Sequence, residues 1–364
     1  MEISLTNVGL RSRELFEYFG QQPSRVEVLR AIYNSGGISR ADIARLTGLT
    51  KVTVSEIVSR LDSLGLVDES EPQRSNSVGK PPILVGIRRD ALRTIAVDAS
   101  DPDLLVVGSV DLYGRVLNRE LIPLTGAGDD AFLEAISSAI AKELSNSTEV
   151  VVGVGVGVAG VVDDHGEVVD AAALGLRDFP LQALLTAKFG VEVRVGNDAN
   201  VATKADALFG GGKPSHLLVR IGKGVGAGLI LNGETYLGAN FAAGELGHVV
   251  VKPQGVLCNC GKKGCLEAEI SHLISTANYS SKEAGDLLGT VVAPISSVLN
   301  LPEIVISCTF DNSEEITRAI SNRVIATTLI ETSESLVVRH SKLGKDIVLL
   351  GAAALALSAV LGVA

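Results

Sequence analysis

Between Pro23 and Tyr33 the apolar residues Val26, Val28, Leu29 and Ile32 recur at helical spacing, and Gly36-Gly37 stops the run. Ser39-Arg-Ala-Asp42 has the form of a capping box, in which the Ser39 hydroxyl accepts from the third helical amide. The pattern predicts a short helix through Leu46, a turn at Gly48, a second cap at Thr50 and a helix from Lys51 to Leu64. Ala44, Gly48 and Val54 stand where a helix-turn-helix needs a small residue, a left-handed turn and an inward β-branched residue. On the second helix Val54, Ile57, Val58 and Leu61 share the buried side. Lys51, Thr53, Ser55, Glu56, Ser59 and Arg60 are left where they can reach phosphates and base edges in a major groove. Gly65-Leu-Val67 opens a wing, the polar stretch Asp68 to Ser77 is its tip, and Gly79-Lys80-Pro81-Pro82 closes it. Lys80 then sits on stiff, extended backbone suited to a minor groove. An ordinary three-helix bundle has the same helical spacing. Cap, turn and wing in this order point to DNA binding.

From Leu92 the period changes to short β-rich runs broken by glycine. Strands are expected at Thr94 to Val97, Leu104 to Val110, Val150 to Val158 and Val191 to Val195, with Asp111-Leu-Tyr-Gly114 as a hairpin turn into Val116-Leu117. Helices are expected at Ala131 to Leu144 and Leu181 to Phe189. Three strands before the first helix differ from a simple alternating Rossmann unit. Ile347 to Ala364 has Ser358 as its one polar residue and nearly the length of a membrane span. Asp346-Ile-Val-Leu-Leu-Gly351 reads instead as a buried strand turning at the glycine into a helix, which argues against a membrane.

Charge separates the two regions. Residues 1–90 hold 12 Lys/Arg against 11 Asp/Glu, and the rest hold 20 against 31, for a net charge of −10. A strongly negative chain does not coat nucleic acid or an anionic membrane non-specifically. With so little positive charge per head, useful affinity calls for two heads on one palindromic site, hence a homodimer or homotetramer on double-stranded operator DNA. Aromatics at 4% with no Trp exclude large stacking surfaces for single strands. The N-terminus shows no basic stretch followed by an apolar run, so a cytoplasmic location is expected.

Four features of the acidic region carry chemistry. Gly196-Asn-Asp-Ala-Asn200 follows a strand, which leaves Asp198 either at a ligand-binding strand end or within a helix cap. The alternating glycines of Ile221-Gly-Lys-Gly-Val-Gly-Ala-Gly228 form either a phosphate cradle or a tight hairpin. In Gly244-Glu-Leu-Gly-His248, Glu245 and His248 face the same side of one helical turn, unless the segment is a surface turn. His248 is then followed by Cys258, Cys260 and Cys265, and three thiolates with one imidazole complete a tetrahedral structural zinc site with no open position. A disulfide would leave an odd thiol. Cys308, in a strand, reads as a small core residue.

A winged helix-turn-helix followed by Asn197-Asp198, Gly244-Glu-Leu-Gly-His248 and Cys258-x-Cys260-Gly-x-x-Gly-Cys265-Leu-Glu267 resembles the ROK family of repressors, open reading frames and sugar kinases. The resemblance implies an α/β fold in two parts: the DNA-binding head at residues 1–86, and at 87–364 a two-lobed, actin-like (ribonuclease H-like) ROK domain with its zinc loop near 248–265. It also implies a sugar in the cleft between the lobes, with Asn197, Asp198, Glu245, His248 and Glu267 at the matching positions and Asp198 at that of the kinase general base.

Two functions compete on that frame: a sugar kinase with a DNA-binding head, and a non-enzymatic regulator that senses a sugar or sugar phosphate. Family kinases carry an Asp-x-Gly-Gly-Thr type turn after the first strand. Here the stretch is Asp98-Ala-Ser-Asp-Pro-Asp103, without glycine and with added carboxylates that repel ATP. The later adenosine-side loop reads Ile306-Ser-Cys-Thr-Phe310, also without glycine. The expectation is therefore a repressor-type regulator of carbohydrate genes. Gly196, Ala159 and Ala172-Ala-Leu-Gly-Leu176 depart from the family's usual Glu, Pro and Pro-Asn-Leu-Gly-Trp, which implies an altered sugar pocket. A regulator controlled by a protein partner is the third reading.

Overall fold

The computed structural model describes residues 14–15, 17–20, 22–70, 82–125, 128–147, 149–275, 280–309 and 313–362. Helices α1 (Pro23–Ser35), α2 (Arg40–Thr47) and α3 (Lys51–Ser63) form the head. The caps stand where the side chains predict them: Ser39 accepts from the Asp42 amide, Thr50 accepts from the Thr53 amide, and Gly48 turns at φ 71°. Strands β1 (Ile38–Ser39), β2 (Val67–Ser70) and β3 (Leu84–Ile87) pair antiparallel in the order β1-β3-β2. The rest of the wing, including Lys80, lies outside the described residues, as does Phe310.

Two five-stranded sheets with the same internal plan make up the body. In the first, β4 (Leu92–Asp101), β5 (Leu104–Asp111) and β6 (Val116–Pro123) form an antiparallel meander. β7 (Val150–Val158) and β11 (Val193–Asn197) continue it in parallel on the far side of β4, giving the order β11-β7-β4-β5-β6. Between them β8 (Val161–Val162), β9 (Val168–Ala171) and β10 (Leu176–Phe179) form a small side sheet. The second large sheet repeats the scheme. β12 (His216–Ile221), β13 (Val225–Leu231) and β14 (Glu234–Thr235) form the meander, and β15 (Glu303–Cys308) and β16 (Val337–His340) run parallel beyond β12. The order β14-β13-β12-β15-β16 is the same plan as in the first sheet.

Apolar helix faces cover the outer sides. α4 (Asp129–Asn146) and α5 (Leu181–Phe189) bury Ile136, Ile140, Leu181 and Leu185 against the first sheet. α7 (Leu266–Ser275), α8 (Ser281–Leu299) and α9 (Ser313–Thr327) cover the second with residues such as Leu288, Val292 and Ile320. Between the sheets lie α6 (Asp198–Ala205) and α10 (Ile347–Leu361).

α10 corrects the reading of Asp346 to Gly351 as a strand: the segment enters a helix at Ile347, and nearly all of it is buried. It is long and apolar enough to cross a membrane by composition alone, but here it is the core helix shared by both sheets. Continuous burial removes the polar face that would have shown a helical period in the sequence. The contact also explains the Val-Gly alternation of β7. An added Cβ at Gly155 would lie 1.8 Å from the Ala352 carbonyl oxygen, and one at Gly157 would lie 2.7 Å from Val348, while Val154, Val156 and Val158 fill the opposite core. We expect Gly155→Val to cost about 3 kcal/mol, at the upper end for overpacking, measured by denaturant unfolding.

The head does not stand apart. Its core (Ile32, Val58, Leu61, Val85) continues into Leu112, Val152, Leu357 and Val360. Tyr33 donates to the Leu112 carbonyl at 2.9 Å, its ring stacks on Tyr113, and Arg30 donates to the Gly362 carbonyl at 2.6 Å at the end of α10.

Candidate functional site

The carboxyl ends of both large sheets meet over the start of α6. Asn197 ends β11, caps α6 by accepting from the Asn200 amide at 2.9 Å, and donates to the Gly160 carbonyl at 2.8 Å. Its amide group is thus engaged with backbone. Asp198, the first residue of α6, is buried; its Oδ1 accepts from the Ala199 amide at 2.9 Å. Its Oδ2 accepts from Arg220 at 2.7 Å, and the other arm of that guanidinium donates to Ser100 at 2.8 Å. The two readings of the turn are therefore shared between neighbours: Asn197 is the cap and Asp198 the group at the strand end. Burial pushes the Asp198 and Asp98 carboxyls above the usual carboxylate range, and Arg220 opposes that shift at both.

Arg220 and Ser100 were not evident from sequence. The available signal was a lone cation in an apolar strand, Leu217 to Ile221, directly before the glycine run. That run is the β12–β13 hairpin, and a Cβ at Gly228 would meet Thr203 Oγ1 of α6 at 2.1 Å. Lys223, at the hairpin tip, reaches Asp101 and Asp103 at 2.7 Å each.

Glu245 precedes a short helical turn, Leu246–His248, and its carboxylate lies 3.9 Å from His248 Nε2. Glu267, in the first turn of α7, accepts from the Val225 amide at 2.9 Å and so fixes the start of β13. Burial raises the Glu245 carboxyl; His248 opposes the shift, and the nearby charges of Asp198 and Glu267 add to it. Asp198, Glu245, His248 and Glu267 thus belong to one electrostatic neighbourhood. Asn197 adjoins it through Asp198, 3.3 Å from its side-chain nitrogen.

His248 also joins the cysteine cluster. The ligand atoms of His248, Cys258, Cys260 and Cys265 all lie within 4.8 Å of one another. His248 Nδ1 is 3.6 Å from Cys258 Sγ, and Cys260 Sγ is 3.6 Å from Cys265 Sγ. A tetrahedral metal with bonds of about 2.0–2.3 Å separates such ligands by roughly 3.5–3.8 Å, so the donor set and its spacing fit zinc. The chain wraps tightly to achieve this: Cys258 donates to the Lys262 carbonyl, and a Cβ at Gly264 would lie 1.6 Å from the Lys252 carbonyl oxygen. A hydrogen bond from the Lys262 backbone lowers the Cys260 thiol to about 7, whereas burial raises Cys265 to about 12. A metal bound by these thiolates would therefore release protons. Cys308 lies apart, at the end of β15 and packed against the second sheet's core.

On the head, Lys51, Val52, Ser55, Glu56 and Ser59 line a shallow depression along the outer face of α3. Val52 is 68% exposed, which the apolar pattern did not single out and which suits contact with a thymine methyl. Thr53 is half-buried with its hydroxyl against Thr50. Arg60 is exposed on the flank of α3, near Tyr18.

Comparison with known proteins places this geometry. A model described as the ROK family matches residues 102–285, and one described as the MarR family matches residues 19–75. A putative xylose repressor from Caldicellulosiruptor sp. (strain Rt8B.4) is 31% identical over 253 residues, which are 68% of this chain and 63% of that protein. The match thus spans less than two thirds of that relative's length. The crystal structure of a ROK family transcriptional regulator, described as a homologue of the E. coli MLC protein, superposes with a TM-score of 0.79 at 22% identity, over 93% of this chain and 96% of that one. A Streptomyces griseus ROK family glucokinase in complex with glucose and AMPPNP gives 0.62 at 24% identity, over 72% and 98%. A regulator and a kinase share the body's fold, so the fold alone does not choose between them.

Proposed function

Since the chain belongs to the ROK family, we propose that it is a cytoplasmic, DNA-binding transcriptional regulator, acting as a repressor of carbohydrate metabolism or uptake genes. The observation that carries this is the winged head built directly onto a sugar-kinase-like body, with a recognition helix that leaves Lys51, Val52, Ser55, Glu56 and Ser59 outward. Two such heads on a homodimer or homotetramer would read a palindromic operator. The effector would be a sugar or sugar phosphate held by Asp198, Glu245, His248 and Glu267, with Asn197 beside them.

His248, Cys258, Cys260 and Cys265 would hold a structural zinc, which fixes the imidazole and supplies no open coordination position. Nδ1 faces the metal cluster and Nε2 faces Glu245, so one ring ties the ligand pocket to the rigid loop. Motion of the lobes would reach the operator through α10, whose body is shared by both sheets and whose end contacts α1. Coupling of about 5–150-fold in affinity is typical for such a link.

Kinase activity is the weaker reading. A general base must be available to the attacking hydroxyl, and the phosphates need a cradle. Asp198 is instead ion-paired with Arg220, and Asp101 and Asp103 stand where a glycine turn would meet phosphate. In this reading the protein is not an enzyme.

The deciding experiment titrates the protein against DNA from upstream of its own gene at fixed salt, with and without a panel of sugars and sugar phosphates. Tight binding released by one compound supports the proposal and names the effector. Tight binding indifferent to all of them points to a protein partner, and the absence of specific binding overturns it. In the same assay Lys51→Ala should weaken binding to all sequences alike and lower the salt slope by about 1, whereas Ser55→Ala or Glu56→Ala should change base preference.

A further inference from the structure

The two large sheets are built on one plan, so β4 and β12 are equivalent strands and the turns that follow them, β4–β5 and β12–β13, are equivalent turns. Both lie at strand carboxyl ends and face each other across the cleft. Ion pairs and hydrogen bonds cross the gap between them. From the second sheet, Arg220 donates to Asp198 and Ser100, at 2.7 and 2.8 Å. Lys223, three residues on, contacts Asp101 and Asp103, both at 2.7 Å. Every acceptor belongs to the first sheet, to its β4–β5 turn or to the start of α6 that follows its last strand. Arg220 and Asp198 are only 15% and 12% exposed, so water screens this pair little, whereas Lys223 is 54% exposed and its bonds respond to salt.

We infer that these contacts are an internal clasp that holds the lobes together without a nucleotide. The clasp has a buried half, Arg220 with Asp198 and Ser100, and an exposed half, Lys223 with Asp101 and Asp103. Its occupied acceptors include Asp198, so any hydroxylated ligand that bonds this carboxylate must share it with Arg220 or displace it. The spacing of the two turns, at one end of lobes already joined through α6 and α10, is thereby fixed by the chain's own cations and becomes sensitive to ionic strength. The clasp lies in the body alone and does not depend on whether the head binds an operator.

The test is hydrogen–deuterium exchange of the intact chain, read at the backbone amides of residues 98–101, 103–104 and 222–225, at low and high salt. Ser100→Ala with Lys223→Ala removes three of the four cross-cleft bonds and leaves only the buried pair of Arg220 with Asp198, which keeps the fold in place. A melting curve confirms this. Exchange at both turns should accelerate about two- to fivefold in the double variant. The wild type at high salt should move toward that rate, while the variant's own salt dependence is reduced. Equal exchange in wild type and variant overturns the clasp, as does a salt response of the same size in both.

Discussion

Replacing His248 with alanine should remove the metal and the effector response together. The wild-type chain should bind one zinc per protomer, measured by atomic absorption after gel filtration, and His248→Ala and Cys265→Ser should each bind far less. The scale is large because structural zinc contributes about 10–16 kcal/mol of apparent binding energy in small folded modules. Segment 249–265 is held by turns and by isolated bridges at Val250–Cys265 and Leu257–Lys263. Without the metal these contacts must hold three cysteines in close register, one with a thiol raised to about 12 by burial. Cys265 directly precedes α7, which carries Glu267, and His248 lies 3.9 Å from Glu245. Loss of the metal should therefore loosen both carboxylates and abolish operator release even where the head still binds DNA. Cys308→Ser, outside the cluster, should leave the zinc content unchanged. Stoichiometric zinc in His248→Ala would exclude the imidazole as a ligand.

What the sequence made legible follows from the range of the forces involved. Caps, turns and wing strands are local, so Ser39, Gly48 and Thr50 could be assigned from neighbouring residues and stand as expected. The metal cluster was legible because its donor types are rare and its spacing is short. α10 was legible only past Gly351, where a helix was expected; its first turn read as a strand, because a helix buried on all sides has no amphipathic period. Arg220 was missed for a different reason. Its partners lie 22 and 120 residues away in sequence, so only the folded sheets bring them together. Val52 was passed over because it lies off the buried stripe of Val54, Ile57, Val58 and Leu61 while only polar residues were read as groove contacts, and here the helix turns it outward.

The buried cation should also leave a signature in the pH dependence of stability. Arg220→Met deletes the charge that opposes the burial-driven rise of Asp98 and Asp198. Both carboxyls should then rise further above their unfolded values. A group whose folded pKa is raised contributes stability that is fully present below its unfolded pKa and lost as pH rises through the folded one. The variant should therefore approach the wild type in mild acid, where at least one carboxyl is protonated, and fall below it toward neutral pH. Breaking a buried pair typically costs about 3–5 kcal/mol, which sets the expected deficit at pH 7–8 by denaturant unfolding. Adding Asp198→Asn to Arg220→Met removes one of the two stranded charges and should recover part of that loss at pH 8 while changing little in mild acid. A deficit of equal size at both pH values would mean that Arg220 acts there through packing of its stem rather than through its charge.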